Sequence, residues 1–366
     1  MNIVGATLFR YRLSLTRPLY LGGQRHMSRD GLLLRFRSAS GSFAWGEAAP
    51  LPGFSEETLD ETQAELVEIL PELLNVEMLD DLTSLDQAFE RWLGATLLPP
   101  SAVFAIETAA LGLQAAEEST PLAGLLIDNP PKVIPVNGLV VGNAETAARR
   151  VTDLLDDGFR AIKIKVGRQP VDKDIAFVRS LATLIAARAV LRLDANRAWS
   201  LPDAVTFVDA TADLGIEYIE EPLADPDELP MLMERTPVPF ALDESLRELN
   251  PTDLSGLPPF AAIVLKPTLL GGLERCAAFA RAVKERETKV VISSSFESSV
   301  GIATLAQFAA AFGTPDTPHG LETLGWFERD VLSESLRLHQ GCFEMDRLHR
   351  AAATVDTRFL QEVLDV

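Results

Sequence analysis

The sequence predicts an α/β barrel of the (β/α)₈ type that follows a smaller α+β domain. From residue 131 to residue 325, short apolar segments alternate regularly with amphipathic helical segments, a pattern typical of parallel βαβ units. No Gly-x-Gly-x-x-Gly turn follows the first of these strands, and no Gly-x-x-x-x-Gly-Lys-Ser/Thr loop is present, so the markers of an open nucleotide-binding sheet are missing. The pattern therefore favours a closed barrel of about seven or eight units.

The first 130 residues have a mixed pattern. Period-2 or apolar segments at 3–13, 32–37 and 42–48 predict an antiparallel meander, and helical patterns follow at 55–73 and 101–118. A proline-rich break, Asn129-Pro130-Pro131, ends this part of the chain. We therefore predict an α+β domain at 1–130 and the barrel at 131–325, with the segment 326–366 packing back on the N-terminal domain and completing it.

The strand candidates of the barrel are short apolar runs, most of which end at a polar residue. They lie at 133–141, 161–166, 190–194, 218–220, 240–243, 262–266 and 290–293. The carboxyl ends of parallel strands meet at one end of a barrel, and barrel enzymes hold their active sites there. The polar residues that end these strands are therefore the candidate functional residues.

Composition and charge exclude several classes of partner. The 366 residues carry 33 Lys and Arg against 53 Asp and Glu, a net charge of −20, which disfavours binding to nucleic acid or to anionic membranes. The two cysteines show no disulfide or zinc-site spacing, and no signal peptide or membrane-spanning run is recognisable. We expect a cytoplasmic protein, and the sequence leaves its oligomeric state open.

Two lysines share one face of the second barrel strand. In the run Ala161-Ile162-Lys163-Ile164-Lys165-Val166, strand alternation places the apolar residues toward the helices and Lys163 and Lys165 toward the barrel interior. A buried ammonium group is costly unless it meets carboxylates or a charged ligand. The two lysines therefore point to an active site rather than to a solvated strand face.

Three acidic residues end the next three strands in the same alternation. Asp194, Glu220 and Asp243 all point inward, and Glu220 is favoured over Glu221 because of its position in the alternation. Three carboxylates at one end of a barrel would repel one another without a cation, and hard oxygen ligands favour Mg²⁺, with Mn²⁺ as a second possibility. We predict a divalent metal site at these three residues.

A further lysine, Lys266, ends the sixth strand on the other side of the interior. Lysines beside carboxylates suit an anionic substrate, and a buried lysine beside another cation has a lowered pKa and can act as a base. The sequence therefore predicts proton abstraction α to the carboxylate of a small molecule.

Motifs spread over nearly the whole chain resemble the enolase superfamily. They are Arg29-Asp30-Gly31, the segment 45–55 (WGEAAPLPGFS), the segment 192–199 (RLDANRAW), Glu220-Glu221-Pro222, Asp243-Glu244-Ser245 and the segment 293–299 (SSSFESS). The resemblance implies a modified TIM barrel of (β/α)₇β form with an α+β capping domain. It also implies a lysine base acting with Mg²⁺, chemistry for which this superfamily is a known case.

The resemblance also implies individual roles. Lys165 is the expected base, Lys163 lowers its pKa and helps to hold the substrate, and Lys266 stabilises the enediolate from the opposite side. Asp194, Glu220 and Asp243 are the expected metal ligands. Arg192 is expected to bind the substrate or to support the residues around it. Ser293 and Ser295 are expected either to bind the succinyl carboxylate of the substrate or to cap the helix that begins near Gly301. The segment 21–28, with Gly22 and Gly23 as hinges, either closes over the site or forms a plain surface turn.

Three functions are compatible with these residues. Within the superfamily, the sequence is similar to members that eliminate water from 2-succinyl-6-hydroxy-2,4-cyclohexadiene-1-carboxylate in menaquinone biosynthesis, with Lys165 moving both protons. The second function is racemisation or epimerisation of an N-acyl amino acid or dipeptide by Lys165 and Lys266. The third, a non-catalytic barrel that binds a carboxylate, is disfavoured because every polar position of the site is filled as the chemistry requires.

Overall fold

The N-terminal part of the protein is built on a four-stranded antiparallel sheet. The computed structural model describes residues 1–21, 23–74, 76–94, 96–351 and 354–366. The sheet has the order β13-β1-β2-β3, formed by β1 (Ile3–Leu21), β2 (Gln24–Ser38), β3 (Phe43–Ala48) and β13 (Gln361–Asp365). The predicted meander corresponds to β1, β2 and β3. Both β1 and β2 extend beyond the segments 3–13 and 32–37 from which they were predicted.

Four helices connect this sheet to the rest of the chain: α1 (Leu59–Leu73), α2 (Ala88–Leu93), α3 (Pro100–Glu117) and α4 (Leu122–Leu126). A capping box explains where α1 begins, since Thr58 and Glu61 each accept the other's backbone N–H. The helix α3 packs directly on β3, where a Cβ atom on Gly46 would lie 1.9 Å from the carbonyl oxygen of Ala105. Only glycine permits this close approach.

Seven parallel strands form the second sheet, in the order of their occurrence in the chain. They are β5 (Gly138–Val140), β6 (Ala161–Lys165), β7 (Val190–Asp194), β8 (Ile216–Glu220), β9 (Phe240–Leu242), β10 (Ala262–Leu265) and β11 (Lys289–Ile292). The helices that alternate with them or follow them are α5 (Ala144–Asp156), α6 (Val171–Ile185), α7 (Leu201–Thr211), α8 (Leu229–Met233), α9 (Pro267–Leu270), α10 (Gly272–Ala282) and α11 (Ser299–Phe312). The predicted modified α/β barrel is confirmed.

A short segment closes the circuit between the last and the first strand. The carbonyl oxygen of Gly320 accepts the N–H of Ser294 at 3.0 Å, and that of His319 accepts the N–H of Asn137 at 2.9 Å. Isolated bridges pair Ser293 with Gly320 and Val136 with His319 in parallel orientation. This segment takes the place of an eighth strand.

The first predicted barrel strand, at 133–141, is in fact two strands. β4 (Val133–Pro135) pairs antiparallel with β12 (Cys342–Glu344), and only β5 joins the parallel sheet. Between them, the N–H of Val136 donates to Gly341 and that of Asn137 to His319, so the chain changes partners at this point.

The C-terminal segment is divided between the two parts of the protein. β12 lies against β4, and α12 (Met345–Ala351) packs on α11, whereas β13 pairs with β1. Hence only the end of the segment 326–366 extends the N-terminal sheet. The proposed boundaries at residues 130 and 325 remain predictions.

Side-chain alternation separates two apolar regions of the barrel. Ile162, Ile164 and Leu193 belong to the large core between strands and helices. Inside the barrel a small separate cluster contains Tyr218, Ala241, Ala262, Val264 and Val291, and these side chains fill the interior below the strand ends. In the part of the chain that the structure describes, no helix is both long and apolar enough to cross a lipid bilayer.

Candidate active site

Strand register brings the charged residues of the site together. Lys165 is paired with Asp194 across β6 and β7, and Asp194 is paired with Glu220 across β7 and β8. Residues paired across parallel strands point to the same face of the sheet, so all three side chains enter the barrel at its carboxyl end. Asp243 follows β9 and Lys266 follows β10 at the same end.

Each acid of the predicted metal site contacts a lysine. The Nζ atom of Lys163 lies 2.7 Å from Oδ2 of Asp194 and 2.7 Å from Oε2 of Glu220. Lys165 donates from Nζ to Oδ2 of Asp194 at 2.6 Å, and Lys266 donates to Asp243. The structure therefore assembles three ammonium groups and three carboxylates in one buried cluster.

A short chain of hydrogen bonds extends from Lys165. Its Nζ also donates to Oδ1 of Asn196 at 2.6 Å, and Nδ2 of Asn196 donates to Oε1 of Glu244 at 2.7 Å. Asn196 was not predicted as a site residue, although its position two residues after Asp194 continues the same alternation and could have indicated it. These contacts hold the Lys165 ammonium group from two sides.

The electrostatics of the cluster follow from burial and from the surrounding charges. Burial would lower the pKa of Lys163, but Asp194, Glu220 and Asp243 raise it well above its usual value. Burial would likewise lower the pKa of Lys266, and Asp243 reverses that effect. At Lys163 and Lys266 the nearby carboxylates therefore outweigh the neighbouring ammonium groups. The role expected of Lys163 beside Lys165 remains a prediction.

The acids respond in opposite directions. Burial would raise the pKa of Asp194, but Lys163, Lys165 and Lys266 together hold it below its usual value. Burial and the charge of Asp194 raise the pKa of Glu220. Two carboxylates that face the same cation thus have pKa values shifted in opposite directions, and perturbed pKa values of this kind cluster at functional sites.

A cavity opens above this cluster. Its polar lining consists of Asn137, Lys163, Lys165, Arg168, Asn196, Lys266, Ser293, Ser294, Glu322 and Thr323. Its apolar lining includes Leu51, Phe54 and Trp326 together with residues 18–21 of the hairpin between β1 and β2. A wider groove lies at the opposite end of the barrel, and none of the three lysines of the cluster lines it. The cavity at the carboxyl end is therefore the candidate active site.

Arg192, which was predicted to bind the substrate, contacts other groups of the protein. Arg192 is fully buried, and its guanidinium group donates to Glu217 at 2.5 Å, to Asn137 at 3.2 Å and to the carbonyl oxygen of Pro318 at 2.5 Å. Because it stands one inward position before Asp194, it lies deeper in the barrel than the cavity. It supports Asn137 instead of lining the cavity itself.

The serine run after β11 divides in a similar way. Ser293 and Ser294 line the cavity, whereas Ser295 is buried behind it, with its N–H donating to Glu297 at 2.6 Å and its carbonyl oxygen accepting from Arg29 at 3.0 Å. The sequence analysis therefore selected Ser295 where the structure places Ser294 at the cavity. A run of consecutive serines contains no signal that would have distinguished them.

The predicted mobile segment 21–28 lies at the edge of this cavity. Leu21 ends β1 and lines the cavity, and Gly23 has a φ of +76°, which glycine adopts readily. Gly22, the other predicted hinge, lies outside the described residues. Closure of this segment over a substrate remains a prediction.

The donor chemistry of the cluster fits a divalent cation. Among the residues that the structure describes, no three acidic, cysteine or histidine side chains form a ready ligand shell, and lysine ammonium groups face the carboxylate oxygens. Asp194, Glu220 and Asp243 are nevertheless buried hard oxygen donors at one barrel end. The ammonium group of Lys163 lies between two of them, so these carboxylates are arranged around a positive charge.

Comparison with known proteins identifies the family. Residues 146–349 match the family described as enolase C-terminal domain-like, and residues 3–111 match the family described as the MenC N-terminal domain. The o-succinylbenzoate synthase of Edwardsiella ictaluri is 34% identical over 331 residues, which cover 89% of this chain and 92% of that protein. The chain belongs to the o-succinylbenzoate synthase family of the enolase superfamily. The family member from Haemophilus influenzae is 32% identical over 89% of this chain and 91% of its own length.

Solved structures of the superfamily share the fold of this family member. The L-Ala-D/L-Glu epimerase of Bacillus subtilis superposes with a TM-score of 0.84 at 22% identity over 100% of both chains. The dipeptide epimerase of Enterococcus faecalis, solved with Mg and the dipeptide L-Leu-L-Tyr, superposes with a TM-score of 0.83 at 21% identity, over 99% of this chain and 100% of that one. Members of the enolase superfamily bind a divalent metal ion.

Proposed function

We propose that the protein is an o-succinylbenzoate synthase, a lyase that eliminates water from 2-succinyl-6-hydroxy-2,4-cyclohexadiene-1-carboxylate in menaquinone biosynthesis. The observation that carries the proposal is Lys165 at the cavity, held by Asp194 and Asn196, with Lys266 lining the same cavity, in a chain of this family. We include the cytoplasmic location in the proposal, consistent with the free thiols of Cys276 and Cys342.

Lys165 moves the protons of the reaction. Its neutral amine takes the proton from the ring carbon next to the carboxylate, which gives an enediolate and a Lys165 ammonium group. The ammonium group then returns this proton to the departing hydroxide on the same face, and water leaves. The ring becomes aromatic, so the second step is favourable once the enediolate has formed, and the lysine ends in its starting state.

Two lysines support the charge that develops on the substrate. Lys266 lines the cavity and keeps its positive charge beside Asp243, so it offers a fixed cation to the enediolate oxygens. Lys163 lies between Asp194 and Glu220 and holds these carboxylates in place. Both groups are buried, where a charge interaction is stronger than in water.

We propose Asp194, Glu220 and Asp243 as the residues that hold Mg²⁺, with Mn²⁺ as a substitute. A divalent ion bound there supplies Lewis-acid stabilisation of the carboxylate as negative charge develops on it. The support for this proposal is the buried oxygen-donor set and the membership of a superfamily that uses a divalent metal.

Racemisation of N-succinyl amino acids or epimerisation of dipeptides is the second candidate. It is favoured by one observation, the presence of a cavity-lining lysine on each of two separate strand ends, Lys165 and Lys266. A racemase needs a proton carrier on each face of the substrate, whereas syn elimination needs only one.

The deciding experiment incubates the purified protein with the cyclohexadiene substrate and, separately, with N-succinyl amino acids. Loss of diene absorbance reports dehydration, and optical rotation reports racemisation. We expect rapid dehydration that a chelator abolishes and that Mg²⁺ or Mn²⁺ restores. Efficient racemisation without dehydration would establish the second candidate, and no turnover of either substrate in the presence of metal would leave the non-catalytic barrel.

A further inference from the structure

Four cationic side chains line the cavity, and three of them are paired with the acids of the cluster. Lys163, Lys165 and Lys266 each contact one or two carboxylates at their Nζ atoms. The fourth is Arg168, which has no hydrogen-bond or ion-pair partner among the residues that the structure describes. Arg168 is therefore the lining cation whose donors are available to a ligand.

The backbone that leads to Arg168 is held in place on both sides. The N–H of Val166 donates to the carbonyl oxygen of Asp194 at 2.9 Å, and the N–H of Gly167 donates to the buried carboxylate of Asp174 at 2.7 Å. Gly167 has a φ of +78°, and a Cβ atom there would lie 2.4 Å from Cβ of Ala198. The loop therefore presents Arg168 from a fixed position three residues after Lys165.

The other polar groups of the lining are already engaged. Glu322 lies 2.8 Å from the guanidinium group of Arg150, Ser293 donates to the carbonyl oxygen of Gly320 at 3.2 Å, and Ser294 lies 2.9 Å from Thr323. The rest of the lining is largely aliphatic or aromatic. A second anionic group on the substrate therefore finds its strongest available partner at Arg168.

The substrate of the proposed function carries two carboxylates. The one on the ring must lie beside the reacting carbon, near Lys165 and Lys266, and the other ends the flexible succinyl chain. Three residues of chain span at most about 10 Å, so Arg168 lies within reach of a group a few bonds away from the ring. A guanidinium group binds a carboxylate through two parallel N–H···O contacts, which a serine cannot do.

We propose that Arg168 binds the terminal carboxylate of the succinyl chain and thereby selects succinyl substrates. This inference rests on the proposed function. It adds a specificity-determining residue outside the lysines and acids that perform the chemistry.

The test compares Arg168→Gln and Arg168→Lys with the unchanged protein in the dehydration assay. Loss of a hydrogen-bonded charge should raise KM about 10- to 100-fold in Arg168→Gln while kcat changes by less than about 3-fold. Arg168→Lys keeps the charge without the bidentate geometry, so its KM should lie between that of the unchanged protein and that of Arg168→Gln. The matched control is Arg179→Gln on α6, which removes one positive charge from an exposed ion pair with Asp213 and should leave KM unchanged.

A second measurement isolates the contact itself. Inhibition by o-succinylbenzoate should weaken in Arg168→Gln, whereas inhibition by 2-butyrylbenzoate, which lacks the distal carboxylate, should be the same in both proteins. Equal weakening of both inhibitors, an unchanged KM, or a loss of kcat at constant KM in a folded variant would each overturn the role of Arg168. If the unchanged protein does not dehydrate the substrate at all, the proposed function itself has failed.

Discussion

A carboxylate of the N-terminal part, Glu107 on α3, supports the first turn of the barrel helix α10. Its side chain is buried, and Oε2 accepts the N–H of Leu273 and, at 3.2 Å, the N–H of Glu274. Gly272 has a φ of +98°, and a Cβ atom there would lie 2.4 Å from the same oxygen. The carboxylate therefore sits against the helix terminus, where backbone N–H groups lack partners within the helix.

We expect Glu107→Ala to destabilise the protein by about 2–4 kcal/mol. Each buried N–H left without a partner costs about 1–3 kcal/mol, so two of them cost about 2–6 kcal/mol. Part of this loss is offset because the variant no longer buries a carboxylate, a group whose pKa burial and Glu274 raise. Glu107→Gln keeps an acceptor oxygen and should lose less than about half as much.

Urea unfolding followed by tryptophan fluorescence measures the effect, since Trp92 lies in α2. The N–H groups of Phe89 and Glu90 in the first turn of this helix donate to the carboxylate of Glu274. A free energy of unfolding for Glu107→Ala within about 0.5 kcal/mol of the unchanged protein would refute this reasoning. An equal loss in Glu107→Gln would show that charge, and not the acceptor, is what matters.

Three further predictions concern the site and its support. Lys165→Ala should lower kcat by at least about 10²–10⁴ with the fold intact, since the same residue acts as base and acid; a variant that keeps more than roughly a tenth of the rate would remove Lys165 from this role. Lys266→Arg keeps the charge but cannot readily release a proton, so it should retain part of the dehydration and lose any racemase activity; equal loss of both activities in parallel assays would contradict a charge-only role. Burial raises the pKa of Glu47 to about 7, so the folded protein binds this proton more tightly than the unfolded chain does. The free energy of unfolding should therefore fall by up to roughly 3 kcal/mol as pH rises from about 4.5 to about 7. Glu47→Gln should flatten that part of the stability profile in urea unfolding at several pH values, and an unchanged slope would contradict the assignment.

Alternation along short strands explains why so much of the fold and site was predictable. A barrel strand has a helix-facing side and an interior side, so one apolar residue such as Ile164 sets the direction of both neighbours. This local rule placed Lys163, Lys165, Asp194 and Glu220 in one cluster, and the observed register agrees with it. The catalytic and metal-binding roles of these residues remain predictions.

The departures arise where contacts distant in the chain decide the outcome. Arg192 has the expected direction, but its partners Glu217, Asn137 and Pro318 come from three other segments, and no local pattern reveals them. The pairing of β4 with β12 likewise depends on residues about two hundred positions later. Alternation reports the side to which a residue points, whereas depth along the barrel depends on the closed structure.

The pairing of β13 with β1 has a consequence for the order of folding. Thr7 is paired with Asp365, so the outer edge of the N-terminal sheet receives its partner from residues 358 positions later in the chain. At about 5–20 residues per second, a ribosome needs roughly 20 to 70 seconds to make the intervening segment. During that time β1 presents unpaired backbone groups, the kind of strand edge at which nascent chains associate with one another. The synthesis of residues 361–365 therefore removes a site of aggregation that exists from an early stage of translation.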